Sequence, residues 1–401
     1  MRLNILYHHR TQGRGAEGVH ITSIVRALER LGHRVTTLSP PGIDPLGTAG
    51  NAPVDKSEVS TRGLQTVWKW ISRYLPNALF EVGEILYNIP TARRLEKALA
   101  AQRYDIVYER YAFFLIAGAL KAAKYKVPFV LEANEVSGIR DRARPQTFRR
   151  LCGLFERELF RRCQGILTVS SHLRDRVLAR GVPRARVRVV PNAVDIEKFA
   201  AVKRDTALGA QLGLQGRQVI VVAGWFDQWD RLDFLIEALA RLAGPFPDIR
   251  LLVVGDGPVL ADARKRVDEF QLEAHVVFTG AVPRREVLRY LSLADMAVIP
   301  HSNEFGSPVV MFEFMGLRVP IVAPRLAPIE DVHSDGQTAL LFKPLDLTEF
   351  VAKIGAYLAS PELRREIAGR AFEKLAREHT WEGNAEQILS AAGMGAAEVR
   401  S

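Results

Sequence analysis

A strand-length apolar run from Leu3 to His8, a loop carrying Gly13, Arg14 and Gly15, a helical pattern, and a second strand-like run at Arg34–Leu38 succeed one another at the start of the chain. The helical stretch sets Val19, Ile24, Val25, Leu28 and Leu31 on one face and stops at Gly32, where a C-terminal glycine belongs. Strand, helix and strand in that order make a βαβ unit, and its right-handed crossover commits the fold to a parallel sheet. Further strand-like runs at 105–108, 129–131, 165–169 and 187–190 extend the alternation.

A second series begins after Pro191, with runs at 219–223, 250–254, 276–278, 296–299 and 320–323 and helical stretches at 232–242 and 309–315 between them. The expected fold class is therefore α/β, two doubly wound Rossmann-like domains facing a central cleft, where open parallel sheets hold ligands beyond the carboxyl ends of their strands. The length of 401 residues suits two such domains. The expected boundaries are 1–196, 197–376 and a closing segment 377–401 that returns to the first domain, with 191–217 as a mostly polar linker.

The net charge of +10 is local, because 140–190 holds fourteen arginines against Asp141, Glu156, Glu158 and Asp175. A charge so concentrated excludes a protein coated for nucleic acid and points to one cationic face meeting phosphates or an anionic bilayer. Within it, 140–162 sets Phe148, Leu151, Leu154, Phe155 and Leu159 against Arg149, Arg150, Arg157, Arg161 and Arg162. Such a helix either lies on anionic lipid or docks on the sheet with a solvated basic face. The stretch 61–100, with Trp68, Trp70, Tyr74, Phe80, Ile85 and Tyr87, is likewise either a membrane-surface segment or an inserted helix pair feeding the first domain's core. Residues 1–9 lack the apolar core of a secretory signal, so a cytoplasmic location, peripheral on the inner membrane face at most, is expected. Cys152 and Cys163 have no metal spacing and read as reduced thiols.

Gly13, Gly15 and Gly18 complete a bare G-x-G-x-x-G, but Thr36, Thr37, Leu38 and Ser39 supply no acid at the end of the next strand, which speaks against a dinucleotide cofactor. No D-x-D pair occurs, and His8, His9, His20 and His33 have no ligand spacing, so no metal is expected.

Taken in order, GAEGVHITSIVRALERLGHRV, VSSHLRDRVLARGVP, VRVVPNAVDIEKF, VVAGWFDQWDRLDFLIEAL, LLVVGDGP, VVFTGAVPRREVLRYLSLADMAVIP, GSPVVMFEFMGLRVPIVAP and DGQTALLF resemble the family-4 retaining glycosyltransferases of GT-B architecture, in a subgroup of bacterial polysaccharide and glycolipid synthesis. The resemblance implies transfer of a hexosyl group from a nucleoside-diphosphate sugar to a hydroxyl acceptor, a glycan or a lipid-linked one, without metal or further cofactor. It implies that Glu313, expected at the start of a helix, accepts the ribose hydroxyls, that the amides around Ser307 and Val309 meet the diphosphate, and that Gly15, Gly224 and Gly280 line the donor site. A helix-dipole role for Glu313 is the plain alternative.

Three departures stand out. The family's earlier glutamate falls on Phe305, leaving Glu304 one residue away as the catalytic candidate. The family's arginine and lysine after the glycine are Trp225 and Asp230 here, so Arg231 or Arg14 would have to offset the diphosphate charge, unless Arg231 merely pairs with Asp233 or Asp227. The family's sugar-contacting histidine falls on Asn134, which can hydrogen-bond a sugar but cannot act as a strong base. These departures keep open a catalytically silent scaffold and a nucleotide-sugar 2-epimerase.

Overall fold

A computed structural model describes residues 2–11, 15–46, 77–139 and 146–394. Arg14, Arg140 and the aromatics Trp68, Trp70 and Tyr74 lie outside the described residues. The chain divides into two compact units, Met1–Val190 with Trp381–Ser401, and Pro191–Thr380.

The first unit is built on a parallel sheet of six strands, β1 (Asn4–His8), β2 (Arg34–Leu38), β3 (Ile106–Arg110), β4 (Phe129–Ala133), β5 (Gly165–Thr168) and β6 (Val187–Val189), in the order β2-β1-β3-β4-β5-β6. The helix Gly15–Arg30 buries Ile21, Ile24, Val25 and Leu28, the face its 3.6-residue period provides. The aromatic-rich stretch contributes two helices, Asn77–Leu86 and Asn88–Ala101. The second buries Leu95 and Leu99, while the first leaves Leu79, Val82 and Leu86 exposed. The helix Trp381–Ala391 packs against Gly15–Arg30 and β5, with Arg30 pairing with Glu382 at 2.7 Å.

The second unit carries a parallel sheet of β7 (Gln218–Trp225), β8 (Ile249–Asp256), β9 (Val276–Phe278), β10 (Met296–Val298), β11 (Ile321–Pro324) and β12 (Leu340–Phe342), in the order β12-β11-β10-β7-β8-β9. Its central strands read as continuous apolar runs because helices cover both faces. Ile220, Val222, Leu251 and Val253 point into one core with Phe234, Phe342 and Phe350. Their neighbours Val219, Val221, Leu252 and Val254 point into the other with Met311, Phe312 and Phe314.

The expected linker 191–217 is corrected by this structure. It folds onto the second unit through short helices at Glu197–Ala200 and Thr206–Gln211, and Val194, Phe199, Leu208 and Leu214 are buried in that unit's core. Apolar residues so widely spaced among polar ones give no periodic signal. No helix among the described residues is long and apolar enough to cross a membrane.

Candidate functional site

In the second sheet the chain runs outward from β7 to β8 and β9, then returns to β10 on the other side of β7. The strand order reverses between β7 and β10, and the loops beyond their carboxyl ends bound a crevice where such sheets hold ligands.

The ends of β7, β8 and β9 are drawn together by glycines. A Cβ on Gly255, which has φ +129°, would fall 1.9 Å from the Gly224 carbonyl oxygen, so only glycine fits there. The Gly255 N–H donates to the Gly280 carbonyl at 3.2 Å, which sets Gly280 on the far side of Gly255 from Gly224. Trp225 closes β7 with 62% of its surface exposed. Beyond it, Asp227 and Asp230 cap each other's backbone in a tight turn, the Asp227 N–H donating to Asp230 Oδ2 at 2.7 Å. Burial pushes the Asp230 carboxyl up to about 6, opposed by that hydrogen bond and aided by the Asp227 charge. Arg231 follows in the left-handed region and grips Asp233 through two nitrogens, at 2.9 and 2.8 Å.

The loop after β10 is tied down before it enters the helix Val309–Gly316. Asn303 Oδ1 accepts the N–H groups of Phe305 at 3.2 Å and Gly306 at 2.5 Å. Asn192 donates its N–H to Ser307 Oγ at 3.2 Å and its side-chain amide to the Ser307 carbonyl at 2.7 Å. Held this way, the loop delivers a helix whose first amides, at Val309 and Val310, have no intrahelical carbonyl to meet and offer positive charge to an anion. Glu304 is exposed on the bend just before.

Glu313 is fifth in that helix, which begins at Val309 as the 309–315 stretch had it, so its carboxylate stands one turn in from the first residue. Pro308 stands at the N-cap of the helix. The carboxylate is 3% exposed and pairs with the Arg284 guanidinium, which reaches it from the loop between β9 and the Val287–Leu291 helix.

In the first unit the order reverses between β1 and β3, and charged side chains crowd that point. His8 Nδ1 meets Glu109 at 2.5 Å, both fully buried. Glu132 on β4 takes the Tyr108 hydroxyl at 2.5 Å, Arg110 at 2.8 Å and His20 at 2.9 Å. Burial alone would raise the Glu132 carboxyl, but His20 and Arg110 outweigh it and hold it well below the ordinary carboxylate range. Asn134 lies just past the end of β4, and its Nδ2 is buried with no hydrogen-bond partner among the described residues.

Residues 17–198 match the model of Glycosyltransferase Family 4, and residues 217–360 match that of Glycosyl transferases group 1. The chain belongs to glycosyltransferase family 4. Among its relatives, an alpha-D-kanosaminyltransferase of Streptomyces kanamyceticus is 27% identical over 58% of this chain, and the match spans 61% of that relative's own length. An MMP alpha-(1->4)-mannosyltransferase of Mycolicibacterium hassiacum is 25% identical, with 97% of both chains covered. The Anabaena protein HepE, solved in complex with UDP, superposes with a TM-score of 0.72 over 98% of this chain and 100% of that one at 16% identity, which shows a shared GT-B fold.

Within this family member, Gly224 near the end of β7, Gly280 after β9, and Ser307, Val309 and Glu313 in the loop and helix after β10 all follow the carboxyl ends of strands of the second sheet. Gly15 opens the first unit's helix, where Arg14 lies outside the described residues. The helix Arg149–Arg162 corrects the amphipathic face expected of it, since Cys152, Glu156, Leu159 and Phe160 are buried while Leu151 and Leu154 are exposed beside Arg150 and Arg157. Sequence reasoning missed Arg284, Asn303 and the anchoring of Ser307 by Asn192. Arg284 and Arg285, two consecutive arginines just ahead of a helix N-cap, where cations are disfavoured, were the signal for the first.

Proposed function

We propose that the protein is a retaining, metal-independent transferase that moves a hexosyl group from a nucleoside-diphosphate sugar to a hydroxyl acceptor on a glycan or lipid-linked carrier. The observation that carries the proposal is Glu313, a buried carboxylate one turn behind an open helix N-terminus at the crevice of a Rossmann-like sheet. In that position it accepts two ribose hydroxyls, while the amides of Val309 and Val310 and the hydroxyl of Ser307 face the diphosphate. Gly224 and Gly280 let the phosphates approach backbone. The departing phosphate oxygen takes the acceptor's proton on the same face of the sugar, so no protein base is required, and Asn134, with its unsatisfied amide, is the sugar contact. HepE in complex with UDP supports uracil as the first base to try.

Titration calorimetry with UDP, GDP and their sugars tests the donor site. Glu313→Ala should weaken binding of the preferred nucleotide about 100-fold, a loss of the size expected when a charge-assisted pair of hydrogen bonds disappears. Equal affinity of variant and parent would remove the central assignment. Absence of heat with every nucleotide sugar marks a silent scaffold, and consumption of donor without acceptor marks an epimerase.

We also propose that the exposed arginines 149, 150, 157 and 161, with Leu151 and Leu154, rest on the anionic inner leaflet where a lipid-linked acceptor would be met. Vesicles containing anionic lipid should retain the protein at low salt and release it at high salt. Equal retention on neutral vesicles would dismiss the cationic contact.

A further inference from the structure

The second unit has a carboxylate where a ribose would bind but no cation at the two positions where the family's diphosphate partners would stand. Trp225 is uncharged, and the Asp230 side chain is spent within its own turn. Arg231, the nearest substitute in sequence, is clamped on Asp233 by both an Nε and an Nη contact, at 2.9 and 2.8 Å. Arg325 and Lys353 are likewise engaged, both on Asp335, at 2.6 and 3.2 Å. Arg284 differs from all of these. One side of its guanidinium is committed to Glu313, a residue of the donor crevice itself, and 53% of its side chain remains in solvent.

Resting on the donor site proposed above, we propose that Arg284 is the cation of that site and that its pairing with Glu313 is a latch which the donor opens. In the empty protein Arg284 neutralises a carboxylate that would otherwise be buried with no counter-charge, a costly state. An arriving ribose offers two neutral hydroxyls to Glu313 and competes with the guanidinium for the same oxygens. The diphosphate, held a helical turn nearer the surface at the Val309 and Val310 amides, offers the displaced guanidinium phosphate oxygens in fork geometry. Ribose and diphosphate therefore act together. The ribose alone must evict Arg284 with no compensation, whereas the complete nucleotide supplies the arginine with a new anionic partner. The developing charge on the departing nucleoside diphosphate then falls on a guanidinium already in place.

This exchange has a signature that a purely structural ion pair lacks, namely opposite effects on two ligands. Arg284→Ala should weaken UDP or GDP, whichever the parent protein binds, by about tenfold or more, since a charge-assisted contact to phosphate is lost. The same variant should bind the matching nucleoside, uridine or guanosine, as tightly as the parent or tighter, because nothing then occupies Glu313. Arg284→Lys should retain part of the diphosphate affinity, having the charge without the fork. Calorimetry measures the nucleotides and ligand-observed NMR the nucleosides, with Tm recorded to establish that each variant is folded. Should Arg284→Ala lower both affinities by one common factor, or leave the diphosphate affinity untouched while Glu313→Ala abolishes it, the latch is wrong and the donor site stands. If Glu313→Ala itself changes nothing, or the parent binds neither UDP nor GDP, the donor site and the latch fall together.

Discussion

The two sheets reverse their strand order at equivalent places, yet the charged residues gathered there are treated in opposite ways. In the first unit Glu132 has three partners, Tyr108, Arg110 and His20, and the neighbouring His8 and Glu109 are sealed against each other. In the second unit Glu313 has one ionic partner, and that arginine is half in solvent. A carboxylate held on both oxygens by largely buried donors is part of the architecture. One whose counter-ion can return to water is available for exchange. The same residue type thus fixes a fold in one unit and, in the donor site proposed above, would exchange partners in the other, and burial of the partner separates the two cases.

Three measurements would break or sharpen this contrast. The largest effect is expected at Glu132. Glu132→Ala strands Arg110, 11% exposed, without a counter-charge, and should cost about 3–5 kcal/mol of stability in urea unfolding. Because the folded Glu132 carboxyl is held below its unfolded range, its contribution is present above about pH 4.5 and fades as acid protonates it in the folded state, so the acid limb of unfolding should flatten in Glu132→Gln. A loss under 1 kcal/mol, roughly that of a surface pair, would erase the contrast.

Glu313→Ala should do the reverse, losing nucleotide while shifting stability by only about 1 kcal/mol, since Arg284 is released to solvent. The smallest effect belongs to Asp230. Its carboxyl is raised to about 6 by burial, so whatever stability its neutral form gives is complete below the unfolded value and lost as pH climbs through 6. Asp230→Asn keeps an acceptor for the Asp227 N–H and carries no charge. The variant should match the parent near pH 4 and exceed it at pH 7 by about 1 kcal/mol, the roughly 3 kcal/mol of such a shift being discounted for the carboxyl's partial exposure. A gap that does not widen across that interval would show a solvated carboxylate.

Much of the fold was legible because each apolar run had strand length and lay beside a helical period, as in Leu3–Leu38. Glu313 and the glycines of the proposed site were nominated by motif order, since backbone approach and helix ends depend on local sequence. The Glu313–Arg284 pair was not, for it joins residues on different loops and no local spacing encodes it. The packed segment after Pro191 was hidden by the isolation of Phe199, Leu208 and Leu214 among polar neighbours. The three-residue strand Leu340–Phe342 was too short to declare a period. At Leu151 and Leu154 the apolar pattern misled, because the helix buries Cys152 and Glu156 instead, the latter satisfied by Tyr111, Ser137 and Arg180.

The helix Trp381–Ala391 belongs to the unit that begins the chain, docked on Gly15–Arg30 and, through Gln387, on Arg188. During synthesis, then, the second unit can finish folding first, and the first stays open along one side until Trp381–Ala391 leaves the ribosome. A premature stop near residue 380 would leave the second unit whole while stripping its neighbour of a wall. Damage late in the message would therefore be felt at the chain's beginning.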